Sequence, residues 1–344
     1  MAGQRKQATL ADVARLAEVS AMTVSRVIND PATVTEETQD RVRQAMIQLS
    51  YRPNSMARGL ARGRSNTIGV VTFDTGQYGP GSTLLAIERA ARLRGYGVTL
   101  AVAESPDRVA VREAVLSLSD RLVDGLVVIA PFVETFGALL DLGREIPLVV
   151  AEAGHPAEAA VVGIDQVFGA RLATQHLLGL GHQTVHHIAG PADWIESGLR
   201  KTGWREALSS AGRAAPPCVA GDWTPASGFA AGLQLADDPS VTAIFVANDQ
   251  MALGTLSALH QRGRRVPDDI SVVGFDDTPE SAYYLPGLTT IRQDFSAMGE
   301  TAVDTLDRLM TAEGPTTPSV TLVSPTLVQR SSTGPSPHFG DDKK

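Results

Sequence analysis

The chain has 344 residues, with 30 Lys or Arg, 38 Asp or Glu and a formal net charge of −8. This length is enough for two or three domains, and the single cysteine, Cys218, excludes an internal disulfide framework and any multi-cysteine metal site. No apolar run reaches the ~18 residues of a membrane span, and the polar start lacks the apolar segment of a secretion signal. We therefore expect a cytoplasmic protein with no membrane partner.

Charge is divided unevenly along the chain. Residues 1–64 hold ten Lys or Arg and six acids, a net charge of +4, whereas the remaining residues hold 20 basic and 32 acidic side chains, a net charge of −12. A basic N-terminal segment on an otherwise acidic chain indicates that this segment alone binds a polyanion.

The segment TLADVARLAEVSAMTVSRVIND, residues 9–30, predicts two short helices. Thr9 and Asp12 form a helix start signal, and apolar residues follow at helical spacing. Ser20 is a natural N-cap for the second helix, and Thr35 is the expected cap of a third. Two short helices joined by a tight turn, with a third that closes the core, are typical of a helix-turn-helix DNA-binding domain.

The second helix of such a domain enters the major groove, where small polar groups face phosphates and other side chains reach base edges. We expect Ala21, Met22 and Arg26 to reach the bases. A helical trimer that makes protein contacts is the alternative interpretation. The DNA-binding residues expected of this domain, which we place at 8–51, are Thr9, Ser20, Ala21, Met22, Thr23, Ser25, Arg26 and Asn29.

This segment, followed by YRPNSMARGLARGRSNTIGVV, resembles the LacI/GalR family of bacterial transcriptional regulators, and the likeness runs to about Arg330. The resemblance implies that residues 52–65 form a hinge helix and linker, with Asn54 at its start and Leu60 as a wedge in the minor groove. A helix this short lies below the ~12 to 15 residues needed for marginal stability, so it would order only on DNA, against a symmetry mate. A flexible basic linker is the alternative.

From Asn66 onward, short β-branched runs such as TIGVVTF, GLVVIAP and ISVVGFDD alternate with helical patterns. The alternation predicts parallel sheets with helices on both faces, and about eight such units exceed one sheet. The resemblance implies the same fold class, an α/β periplasmic-binding-protein-like core of two doubly wound subdomains, preceded by the all-α helix-turn-helix domain. The expected bounds are 66–331 for the core, about 66–164 and 294–322 for its N-subdomain, about 165–291 and 323–331 for its C-subdomain, and 332–344 for a disordered tail.

Enzymatic alternatives are weak in this sequence. It contains no G-x-G-x-x-G, P-loop or G-x-S-x-G motif. His186 and His187 fall on a predicted strand and would face opposite sides, which disfavours a metal site with His182. Asp276 and Asp277 are adjacent and would diverge, whereas glycosidase chemistry needs two carboxyls that face one bond. We expect no enzyme, no cofactor and no metal.

The predicted strand ends carry the groups that a sugar site needs. Sugar hydroxyls donate and accept hydrogen bonds, and the C–H face of the ring packs on aromatic side chains. These positions coincide with the effector site of the family, and the core is most similar to the lactose repressor branch. The alternative is that each polar side chain only satisfies buried backbone. The expected effector-binding residues are Asp74, Glu152, Arg200, Trp223, Asn248, Asp276, Gln293 and Phe295.

The resemblance implies a repressor that binds a palindromic DNA operator as a homodimer and is released by a small sugar. The sugar would be a mono- or disaccharide, such as a galactoside or glucoside. A regulator of the same fold that responds to a purine or another small molecule is one alternative. A sugar-binding module without DNA function is the other. The absence of heptads near the end of the chain favours a dimer.

Overall fold

The structure, a computed structural model, describes residues 8–51, 64–73, 76–105, 108–119, 123–129, 146–151, 160–312 and 319–337. The chain divides into two compact units, Met1–Ser65 and Asn66–Lys344. None of the described helices combines the length and apolarity that crossing a membrane requires. Four of the expected site residues lie outside the described residues: Asn54, Leu60, Asp74 and Glu152.

The described residues of the first unit form three α-helices around a small apolar core. They are α1 (Leu10–Leu16), α2 (Ala21–Asn29) and α3 (Glu36–Gln48), with a 3₁₀ turn at Pro31–Thr33 between the last two. Each helix contributes a valine without exposed surface to the core, namely Val13, Val24 and Val42. Such short helices gain most of their stability from packing, because each is marginal alone.

The helix starts expected from the sequence are present at α1 and α2. The Thr9 hydroxyl accepts from the Asp12 amide, and the Asp12 carboxylate accepts from the Thr9 amide at 2.9 Å, which completes a capping box. The Ser20 hydroxyl accepts from the Thr23 amide at 3.0 Å. Thr35 precedes α3 as expected, but its side chain accepts no backbone amide there.

The described residues of the second unit form two six-stranded sheets with helices packed on both faces. The first sheet has the order β11-β5-β4-β3-β1-β2 with all pairs parallel. Its strands are β1 (Thr67–Thr72), β2 (Gly97–Val102), β3 (Gly125–Ile129), β4 (Leu148–Ala151), β5 (Ala160–Ile164) and β11 (Val320–Val323), and its described helices are α4 (Tyr78–Leu93), α5 (Arg108–Ser119) and α10 (Phe295–Thr311).

The second sheet has the order β12-β10-β9-β8-β6-β7, in which only the β10 and β12 pair is antiparallel. Its strands are β6 (His186–Ala189), β7 (Val219–Ala220), β8 (Ala243–Val246), β9 (Ser271–Asp276), β10 (Thr289–Arg292) and β12 (Thr326–Val328). Its helices are α6 (Gln166–Gly179), α7 (Ile195–Ser210), α8 (Pro225–Ala236) and α9 (Asp249–Gln261).

The chain passes between the two sheets three times. It leaves β5 for α6 at Asp165, leaves β10 for α10 near Gln293, and passes from β11 to β12. Parallel strands present their carboxyl ends along one edge of a sheet, and ligands of such folds bind in the crevice outside those ends. The first two crossings bring polar residues to that crevice.

The expectation that a disordered tail begins at residue 332 is wrong for residues 332–337. Ser332 is fully buried, and its hydroxyl accepts from the Thr289 amide at 2.8 Å and donates to the Val272 carbonyl at 2.6 Å. Ser336 is also buried, and its amide donates to the Leu180 carbonyl at 2.9 Å. These bonds join the segment to the second sheet, which a polar composition does not indicate.

Candidate functional site

Helix α2 presents a polar and partly apolar face to solvent. Ala21, Met22 and Arg26 are exposed on it, and 66% of the Met22 surface is accessible. Val24 and Val27 point the other way and are buried. The three residues expected to reach base edges therefore lie on one side of one helix.

The small polar side chains of α2 are linked to one another. Ser20 and Thr23 share a hydroxyl–hydroxyl hydrogen bond of 2.9 Å, and the Asn29 amide donates to the Ser25 hydroxyl at 3.1 Å. Thr9 lies apart at the start of α1, where its hydroxyl donates to Asp12. The four groups expected to face phosphates therefore lie on α2 and its N-cap, each oriented by a neighbouring side chain.

A cleft of about 460 Å³, including its open mouth, lies in the second unit at the carboxyl ends of the strands. All six described residues of the expected effector site line it. The lining residues are Gln77, Tyr78, Gly79, Pro80, Ile164, Gln166, Trp194, Glu196, Arg200, Trp223, Asn248, Asp276, Gln293 and Phe295. Gln166, Trp194 and Glu196 were not expected from the sequence.

Four polar side chains form a closed ring at the floor of the cleft. Arg200 Nε donates to Gln166 Oε1 at 2.9 Å, and Gln166 Nε2 donates to Gln293 Oε1 at 2.8 Å. Gln293 Nε2 donates to Asp276 Oδ1 at 2.7 Å, and the same oxygen lies 3.6 Å from Arg200 Nη2. Because each member fixes the next, the ring presents donors and acceptors in set directions.

The guanidinium of Arg200 is the charged centre of this ring. It is 5% exposed, its Nη1 donates to the Ala247 carbonyl at 2.5 Å, and its carbon lies 3.9 Å from the centre of the Phe275 ring. Arg200 is the sixth residue of α7. This places the guanidinium under the cleft with its plane held by the aromatic ring.

Aromatic residues form two pairs in the same cleft. Trp194 and Trp223 meet edge to face with ring centres 5.6 Å apart, and Tyr78 and Phe295 do so at 5.8 Å. The Trp223 ring lies against Gly190, where an added Cβ would stand 2.2 Å from a ring carbon. Edge-to-face pairs are favourable arrangements of aromatic rings, and they leave other ring surface for a ligand.

Asn248 has a structural role in addition to its place in the cleft. Its Oδ1 accepts from the Met251 amide at 2.9 Å as the N-cap of α9, and its Nδ2 donates to the Trp223 carbonyl at 3.1 Å. Asn248 therefore also satisfies buried backbone groups, which is the alternative role considered for these polar side chains. The second bond also fixes the backbone of the residue that supplies the tryptophan.

The histidines of GHQTVHH serve the packing of the second sheet. His187 is fully buried between Trp204 and Phe245, its Nδ1 lies 2.9 Å from the Phe245 carbonyl, and burial lowers its pKa to about 4. His182 hydrogen-bonds to the Thr242 hydroxyl. Among the described residues, no group of three His, Cys, Asp or Glu side chains is arranged to hold a metal ion.

Asp276 and Asp277 have separate partners. Asp277 forms ion pairs with Arg292 at 2.6 Å and Arg330 at 2.5 Å, whereas Asp276 faces the cleft. The divergence expected from the sequence is present, and Asp276 and Asp277 have positive φ angles of 116° and 56°. The pair is not arranged to flank one bond.

Comparison with known proteins gives matches to both units. Residues 9–54 match the lacI family of bacterial regulatory proteins, and residues 174–333 match a periplasmic binding protein-like domain. The chain is 36% identical to the lactose operon repressor of Escherichia coli (strain K12) over 330 residues, 95% of this chain and 91% of that protein. It is 34% identical to the HTH-type transcriptional repressor PurR of Escherichia coli O139:H28, over 96% of this chain and 98% of that one.

Solved structures give the same result. A lac repressor dimer bound to operator and the anti-inducer ONPF matches with a TM-score of 0.86 and 36% identity, over 96% of this chain and 100% of that one. A complex of the transcriptional regulator CelR with cellobiose matches with a TM-score of 0.70 and 32% identity, over 94% and 99%. The chain therefore belongs to the lacI family of bacterial regulatory proteins.

Proposed function

We propose that this protein is a transcriptional repressor that binds a palindromic DNA operator as a homodimer and releases it when a small sugar occupies the cleft. The observation that carries the proposal is the pairing of an exposed reading helix in one unit with a polar and aromatic cleft in the other. The relatives named above are repressors, and the similar solved structures include one bound to operator and one with cellobiose. No step of this function makes or breaks a covalent bond.

The two activities are linked by differential binding. A sugar lowers operator affinity only if it binds the DNA-competent state less tightly than the released state. A coupling free energy of ~3 kcal/mol already changes operator affinity ~150-fold, and the operator must change sugar affinity by the same factor.

The DNA side of the proposal rests on the solvent-facing side of α2. Arg26 is the one arginine on that helix, and guanidinium groups read guanine through two hydrogen bonds. Ala21 and Met22 offer apolar contacts, which suit the methyl group of thymine. The positive net charge of residues 1–64 adds a salt-dependent attraction to phosphates.

Arg26→Ala should weaken binding to a DNA site selected from random sequence by about 10-fold or more, since a lost base contact costs ~1 to 3 kcal/mol. The measurement is fluorescence anisotropy over a range of salt concentrations. Arg43→Ala on α3, where Arg43 pairs with exposed Asp40, is the matched control and should bind as the parent does. Equal affinity of Arg26→Ala and the parent would contradict a reading role for this helix.

The effector side rests on the composition of the cleft. It offers two carboxylates, Glu196 and Asp276, one guanidinium and four carboxamides, which together match hydroxyls that donate and accept. The two aromatic pairs supply surface for the C–H faces of a pyranose ring.

Gly190→Ala should displace Trp223, because the added methyl would occupy the space of its ring. We expect at least a 10-fold loss of sugar affinity in calorimetric titrations with methyl β-glucoside, methyl β-galactoside, cellobiose and lactose. Gly198→Ala, whose Cβ would meet no atom within 4 Å, is the control and should bind normally. If a purine base gives binding heat and none of the sugars does, the effector is a purine and the sugar proposal is contradicted.

The homodimer has a candidate surface around β2. This strand is the outer edge of the first sheet, and its Leu100 and Val102 are 40% and 56% exposed. The flanking helices α4 and α5 add exposed Leu85, Leu93 and Val109. An edge strand surrounded by exposed apolar side chains is expected to be covered by another chain.

Leu100→Lys should shift the dimer toward monomer by at least 10-fold in dissociation constant, measured by sedimentation equilibrium, because it buries a charge in the contact. Val320→Lys provides a matched control on β11, the opposite edge of the same sheet, where the valine is 39% exposed. If both variants dimerise as the parent does, the contact lies elsewhere.

A further inference from the structure

Asp249 is a buried carboxylate that stands behind the cleft without lining it. It is the first residue of α9, and none of its surface is exposed. A Cβ on Gly274 would lie 2.2 Å from its Oδ1, so the glycine provides the space that the carboxylate occupies. A buried charge of this kind is costly unless its oxygens are hydrogen-bonded.

Both oxygens of Asp249 accept hydrogen bonds from the segment that follows β9 and from β10. Oδ2 accepts from the Thr278 amide at 3.0 Å and from the Ser281 hydroxyl at 2.6 Å, and Oδ1 accepts from the Thr290 hydroxyl at 2.6 Å. The Thr278 and Ser281 hydroxyls also bond to each other at 2.7 Å. One side chain therefore connects α9, β10 and the segment that contains the 3₁₀ turn Pro279–Tyr283.

The segment that Asp249 holds begins with two residues in an unfavourable backbone conformation. Asp276 and Asp277 have φ angles of 116° and 56°, a region that residues with a side chain rarely adopt. Such a turn persists only when its surroundings hold it. Arg292 and Arg330 hold it through Asp277, and Asp249 holds it through the next residue, Thr278.

We propose that Asp249 is a positioning residue of the effector site, whose three hydrogen bonds hold the strained turn that directs the Asp276 carboxylate into the cleft. This inference rests on the proposed function of the cleft as a sugar site. Asp249 would touch no sugar; it would act through Asp276, which closes the polar ring with Arg200 and Gln293.

The charge of Asp249 is sensitive to pH near neutrality. Burial, and then the nearby charge of Asp276, raise its pKa to about 7. Tyr78 and Tyr284 also interact with it, and the pKa of each is raised, chiefly by burial. Asp277 acts on Tyr78 and Glu280 acts on Tyr284, and Arg292 and Arg330 balance the charge of Asp277.

The sign of the effect on stability follows from this shift. Between pH 4 and pH 7 the folded protein keeps a proton that the unfolded chain releases, so this group makes the protein less stable as pH rises through that range. A sugar that displaces water from Asp276 would strengthen its repulsion of Asp249 and favour the protonated form. Sugar affinity should therefore fall from pH 6 to pH 8.

The holding of the turn is tested by hydrogen exchange of the full-length protein without sugar. Asp249→Ala and Ser281→Ala should each speed exchange in a peptide covering 277–284 by at least 10-fold, because each removes bonds that hold the turn. Ser281→Ala removes one hydroxyl and is the milder change should Asp249→Ala fold poorly. Asp237→Asn, at an exposed ion pair with Arg262, is the control and should leave exchange unchanged.

The positioning role is tested by calorimetry with the same sugar panel at pH 6, 7 and 8. Asp249→Ala, which removes all three bonds, should weaken binding at least 10-fold at pH 6 and remove the fall toward pH 8, whereas Asp237→Asn should keep both. If Asp249 served only stability, its substitution would lower the melting temperature and leave the pH profile of sugar binding as in the parent. That result, or unchanged hydrogen exchange of the turn, overturns the proposal. If the parent binds no sugar, the proposed function fails, and exchange alone then decides whether Asp249 holds the turn.

Discussion

The buried guanidinium of Arg200 is the constraint around which the second unit arranges its cleft. Burying a cation costs several kcal/mol, and only hydrogen bonds and a nearby anion offset that cost. Here the offset comes from Gln166, the Ala247 carbonyl and Asp276, with the Phe275 ring beneath. These partners lie on α6, after β8 and at the end of β9, so one side chain ties together elements distant in sequence.

This arrangement explains how a ligand at the cleft could affect the whole unit. Gln166 and Gln293 belong to two of the three segments where the chain crosses between the sheets, and they bond directly to each other. A sugar that exchanges bonds with this ring would change contacts at both crossings at once. Packed interiors respond to such changes by moving between discrete arrangements and not by deforming gradually.

Much of the cleft could be predicted from the sequence, because the ends of the strands can be identified there. Asn248, Asp276 and Gln293 each follow an apolar run, and parallel strands end at one edge, so their meeting was predictable. The caps at Thr9 and Ser20 were predictable from spacing alone. The lacI family pattern supplied the remaining expectations, and the functional roles of these residues stay predictions.

Other features depend on packing that the sequence does not display. Gln166, Trp194 and Glu196 follow strands at the start of helices, where the direction of a side chain is decided by how the helix docks. The polar segment after residue 331 gave no sign that Ser332 would be buried by bonds to the backbone of β9 and β10. Asn248 proved to cap a helix as well as line the cleft.

The most direct test is the operator affinity of Arg200→Lys with and without the sugar that binds the parent, measured by anisotropy and accompanied by a thermal melt. Lysine keeps the charge but loses the planar fork. The account predicts that the folded variant binds operator as the sugar-free parent does and no longer releases it at a sugar concentration that fully releases the parent. Normal release by the variant would contradict the claim that the Arg200 ring is where the effector acts.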